Sequence, residues 1–199
     1  MDTRKKLSEA KYFLDLLPSF QEDENKFYYN LSAFLNAWRS VLDIMLYDFA
    51  EHYSLGFTRG VELNDKDFFA VATALSKTEA VKFVKWWRKK QGELKDDPLW
   101  EKRIISFHRG NVEIYQTIYA LGTGSSSGTI SFANVYSPHV SPIMGGVVTL
   151  HTIPTESIGT SFWSFSDFPN ENLIDKCREG CSKLEAIVRE AETIFRVSL

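Results

Sequence analysis

The sequence predicts a mainly α-helical bundle that carries a small antiparallel β insertion before its last helix. Three observations predict it. A stripe of large apolar residues recurs every three or four positions from Phe27 to Phe49 without an interrupting Gly or Pro. A second such stripe runs from Leu173 to Phe195. Between them, residues 112–165 change character, becoming rich in glycine and β-formers.

The elements follow in order. Leu7, Ala10, Leu14 and Leu17 have helical spacing, and Pro18 closes a first helix over residues 3–17. The second helix, residues 24–54, carries Phe27, Leu31, Phe34, Trp38, Val41, Met45 and Phe49, widened by Leu35, Leu42, Leu46 and Tyr53. After a loop with Gly56 and Gly60, Asp65 is the expected cap of a short helix over 68–75. Thr78 is the expected cap of a helix over 79–94, with Glu79 favourably placed at its positive end. Asp97 followed by Pro98 starts a further helix that Gly110 stops, giving a span of 98–108. Strands are expected over 112–121, 129–136, 147–153 and 161–165, with Gly122 to Gly128 as the loop between the first two. The final helix covers 170–196, with Leu173, Cys177, Cys181, Leu184, Val188, Ala191 and Phe195 as its seam and Gly180 as a weak point. The seam resembles that of the second helix, which predicts antiparallel packing of the two. The 199 residues read as one domain, 1–199, with 112–165 inserted.

Composition narrows the functional classes. With 44% hydrophobic and 25% charged residues the chain buries an ordinary core. A net charge of -3 offers no global attraction for nucleic acid and leaves that role to a local patch. Cys177 and Cys181, four residues apart on one helix, read as buried thiols in a reducing compartment. The N-terminus shows no apolar signal core, and no apolar run approaches the ~20 residues of a membrane span, so the expected location is cytoplasmic, with no membrane partner. His52, His139 and His151 are scattered, and no metal or nucleotide fingerprint occurs, so neither metal nor cofactor is expected.

Arg103 and His108, with four residues between them, stand at the end of the 98–108 helix, late in the helical order. At about 100° per residue, Trp100, Ile104 and Phe107 form an apolar ridge, with Arg103 on one flank and His108 on the other. This Arg-x4-His spacing, with the long second helix running through Leu31 to Val41, resembles the HEPN family of helical domains. The resemblance covers the helical parts and not the β-rich segment. The position after the arginine, commonly Asn in that family, is Ile104 here. The resemblance implies a HEPN-like antiparallel bundle, a homodimer, and a metal-independent endoribonuclease with Arg103 and His108 as catalytic residues. It equally admits a non-catalytic dimerisation or ligand-binding module, and a toxin system with an antitoxin-like protein partner. In the enzymatic reading, Asn36 or Arg39 on the second helix supplies a supporting polar group, although Arg39 and Asp43 also have i, i+4 spacing. Lys82, Lys85 and Lys89 share one helix face and, with Lys102 and Arg109, form the candidate RNA-binding patch. Trp86 and Trp87 beside them either stack on bases or belong to the core.

Overall fold

The computed structural model describes residues 2–58, 62–102, 114–120, 128–132, 159–168, 171–197 and 199. The chain is mainly helical and divides into two compact units, one of residues 1–110 and 177–199 and one of residues 111–176.

The first unit contains α1 (Thr3–Leu16), a 3-10 turn (Leu17–Phe20), α2 (Glu24–His52), α3 (Asp65–Ala74), α4 (Thr78–Lys95), a helical segment over 98–102, and most of α5 (Leu173–Phe195). Every apolar residue expected on the α2 stripe from Phe27 to Phe49 is buried, whereas Tyr53 is half-buried. Asp23 caps this helix by accepting the Lys26 N–H at 3.1 Å. Ser54 and Gly56, both at positive φ, turn the chain away after it.

The start of α1 is capped from another helix. Asp48, fully buried on α2, accepts hydrogen bonds from the Asp2 N–H at 2.8 Å, the Thr3 N–H at 2.8 Å and the Thr3 hydroxyl at 2.7 Å. A carboxylate there satisfies otherwise orphaned amides and meets the positive end of the helix dipole. It also pins α1 antiparallel to α2.

Two caps differ from expectation. Asn64, not Asp65, caps α3: its backbone is extended, and its side chain accepts the Lys66 and Asp67 N–H groups at 3.0 and 2.9 Å. Asp65 is already helical. Thr78 likewise lies inside α4 rather than at its cap, which is Lys77 and uses no side chain. The turn between α3 and α4 is tight, with Ser76 at positive φ, and leaves no separate capping position for Thr78.

Paired contacts give the helix directions. Trp38 Nε1 donates to the Gly180 carbonyl at 2.9 Å, and Phe49 meets Phe195 edge-on at 5.6 Å. Residue numbers thus rise together, so α2 and α5 run parallel, not antiparallel as their seams suggest. Lys11–Glu185 and Arg4–Glu192 ion pairs set α1 antiparallel to α5. Phe83 stacked on Phe49 at 3.7 Å, and Trp87 Nε1 donating to the Leu42 carbonyl, set α4 antiparallel to α2. The result is a ring of antiparallel neighbours, α1–α2–α4–α5, with α2 and α5 on the diagonal. The long connection from 96 to 172 allows this order.

In the second unit, β1 (Ile114–Ala120) is flanked by β2 (Gly128–Phe132) and β3 (Gly159–Phe165) in one antiparallel sheet. Gln116 pairs with Phe132 on one side and Trp163 on the other. Ile114, Trp163 and Phe165 are buried. The last residues of the second expected strand, 133–136, lie outside the described residues. The strand expected over 147–153 and the loop over 122–127 lie outside the described residues. No described helix is long and apolar enough to cross a membrane.

Candidate functional site around the 98–102 segment

Asp97 opens the helical segment as the Asp-Pro signal predicts. Its buried carboxylate accepts the Leu99 N–H at 3.1 Å through Oδ1 and meets Lys183 Nζ of α5 at 2.7 Å through Oδ2. Leu99 is buried against Gly180: a Cβ added at that glycine would lie 2.3 Å from Leu99 Cδ1. Gly180 is therefore a point of close approach rather than merely a weak point in the helix. From α2, the Arg39 guanidinium lies 4.1 Å from the centre of the Trp100 ring and pairs with Asp43 at 2.7 Å. Lys95 Nζ lies 5.9 Å from the same ring centre. Three parts of the bundle thus hold the five residues that lead into Arg103.

Arg103, His108 and Arg109 lie outside the described residues. Lys102 does not fit the surface role expected of it, because it is only 5% exposed at the end of the segment. Asn36 directs its side-chain amide to the Ser32 carbonyl at 3.0 Å, a bond within α2. Arg39 makes the intrahelical pair with Asp43 and also reaches Trp100 of the segment.

The cationic face of α4 is exposed at Lys82, Lys85 and Lys89. Glu79 pairs with Lys82 at 2.7 Å and Glu93 approaches Lys89 at 3.9 Å. The tryptophans do not serve it. Trp87 is buried with its N–H on Leu42, and half-buried Trp86 donates to Glu190 Oε1 at 2.8 Å, so base stacking gives way to core packing. Lys90 also meets Glu190, at 2.8 Å. That hydrogen bond raises the lysine pKa and, with the Trp86 bond, lowers that of the glutamate.

Cys177 and Cys181 are free and buried. Burial pushes the Cys177 thiol well above its ordinary range, with smaller contributions from Cys181 and Asp97, and burial also raises Cys181. Neither is a poised nucleophile. Among the described residues, no group of three or more His, Cys, Asp or Glu side chains is placed to hold a metal ion.

Sequence reasoning missed a hollow of about 410 Å³ at the other end of the bundle, lined by His52, Tyr53, Glu79, Ile194, Phe195 and Arg196. These residues come from three helix ends far apart in sequence, so no local spacing marks them. Tyr53 is pushed up to about 12, first by burial and then by the nearby Glu79 charge. No family model matches the chain, and no curated protein or solved structure matches it.

Proposed function

We propose that this chain is a HEPN-like protein that forms a homodimer, binds RNA and cleaves it without a metal through Arg103 and His108. The observation that carries the proposal is the Arg-x4-His spacing directly after the 98–102 segment, which Asp97–Lys183, Leu99–Gly180 and Arg39–Trp100 contacts hold to α2 and α5. A held approach suits a motif that must aim two side chains at one phosphodiester.

In this reading Arg103 clamps a phosphate with its planar fork and stabilises charge in the transition state. His108 takes the proton from a ribose 2′-hydroxyl. The 2′-oxygen then bonds to phosphorus, the bond to the 5′-oxygen breaks, that oxygen takes a proton from solvent, and a 2′,3′-cyclic phosphate and a 5′-hydroxyl remain. The exposed Lys82, Lys85 and Lys89 supply phosphate contacts. Exposed ion pairs such as Lys82–Glu79 are worth only about 0–1 kcal/mol, so RNA phosphates compete for them readily.

Purified protein incubated with single-stranded and structured RNA in EDTA tests the proposal. The expected result is cleavage by the wild type and none by His108→Ala. Identical product patterns from the two overturn the nuclease. A second reading, a non-catalytic module whose β unit binds a ligand or protein, is motivated by residues 111–176 forming a compact unit with its own sheet. Retained RNA binding without cleavage, or neither, favours it.

A further inference from the structure

We propose that the hollow between the ends of α2, α4 and α5 binds a small organic anion, held by Arg196, Tyr53 and His52, with its apolar body against Ile194 and Phe195. The inference is independent of the ribonuclease proposal.

Three residues whose side chains carry hydrogen-bond donors line the hollow: Arg196, Tyr53 and His52. Among the described residues, none of these three side chains makes a hydrogen bond or ion pair to the protein. The lining holds one carboxylate, Glu79, which pairs with Lys82 at 2.7 Å and whose charge is still felt at Tyr53, against three donor-bearing side chains. Donors in excess of acceptors select an acceptor-rich ligand. A guanidinium is the group best shaped for a carboxylate or phosphate, because its fork donates two parallel bonds. Tyr53 stays a neutral phenol far above neutral pH and so remains a donor rather than a competing anion.

The apolar residues of the lining have their own requirement. Ile194 is 53% exposed, one of four large apolar residues left open among those described. Phe195 is half-buried and is fixed by ring contacts with Phe49, Phe83 and Trp86 at 5.4–5.6 Å. His52 and Tyr53 add a pair of rings at 4.8 Å in edge-to-face contact. A charged group at one end and an apolar, preferably planar, body at the other complement this lining. Inorganic anions satisfy only the first half.

Calorimetry on the full chain with 3-phenylpropanoate, its neutral amide, phenethylammonium and inorganic phosphate tests the proposal. The carboxylate is expected to bind in the micromolar-to-millimolar range. The amide, and the carboxylate on Arg196→Gln, are expected to bind about tenfold or more weakly. Tyr53→Phe, which keeps the ring, should weaken binding several-fold. Arg196 is exposed beyond the last turn of α5, and a thermal melt checks that its replacement leaves the fold intact. Absence of carboxylate binding, equal binding of the amide, preference for the ammonium ion, or indifference to both substitutions overturns the proposal. Binding of phosphate as tight as that of 3-phenylpropanoate overturns the part assigned to Ile194 and Phe195. Loss of RNA cleavage in His108→Ala bears on none of these outcomes.

Discussion

Gly180→Ala sets two effects of known size against each other. In a helix interior, Gly→Ala stabilises by about 1 kcal/mol because the unfolded glycine has more freedom to lose. Gly92 in α4 is exposed and has no atom within 4 Å of an added Cβ, so Gly92→Ala should show this gain undiminished. At Gly180 the added methyl lies 2.3 Å from Leu99 Cδ1, 3.4 Å from its Cγ and 3.7 Å from Asp97 Oδ1. The first distance is more than 1 Å inside ordinary contact. Leu99 is 1% exposed, so its terminal methyl has no solvent to move into. Overpacking of this kind costs about 1–3 kcal/mol. The net effect is a loss of up to about 2 kcal/mol, which lowers Tm by several degrees in a chain of this size. Urea unfolding followed by circular dichroism measures both variants. A second glycine variant on the background Leu99→Ala isolates the cause: with the leucine truncated, Gly180→Ala should regain most of the helix gain. If Gly180→Ala raises stability as much as Gly92→Ala does, the close approach of α5 to the 98–102 segment is refuted.

Asp48→Ala strips three hydrogen bonds from the start of α1 and leaves buried donors unpaired, a loss of about 3 kcal/mol or more in urea unfolding; a change under 1 kcal/mol contradicts the capping role. Cys177 and Cys181 should resist a thiol reagent in the native protein and react at once in denaturant. Because burial raises the Cys177 pKa, the unfolded chain loses that proton first. Stability should therefore be full below the ordinary thiol value of 9.0 and decline above it, by up to about 1.4 kcal/mol per pH unit, with a shallower decline in Cys177→Ala.

Much of the helical scaffold was legible in the sequence because the cause is local. An amphipathic helix announces itself through period, and from Phe27 to Phe49 every expected apolar position of α2 is buried. The Asp97-Pro98 start of the next helical segment follows from backbone chemistry within two residues. The HEPN-like reading also lives at this level, in the spacing of Arg103 and His108. Caps were less legible: Asn64, Asp65 and Thr78 are all competent capping residues, and the choice among them depends on where the loop enters the helix.

Contacts distant in sequence were decided only by the tertiary structure. Two equal seams say that α2 and α5 pack but not in which sense; Trp38 on Gly180 and Phe49 against Phe195 make them parallel. Composition counts Asp48 as one more charge, and only the fold of α1 onto α2 turns it into a buried cap. Trp86 and Trp87 look the same beside a row of lysines until Leu42 and Glu190 take their N–H groups. The hollow at the bundle end is lined by the ends of α2 and α5 and the start of α4, which only the fold brings together. Periodicity specifies which face of a helix is apolar, since that depends on neighbours three and four residues away. What a polar side chain on that face does depends on groups brought up from elsewhere in the chain, and the sequence carries no local record of them.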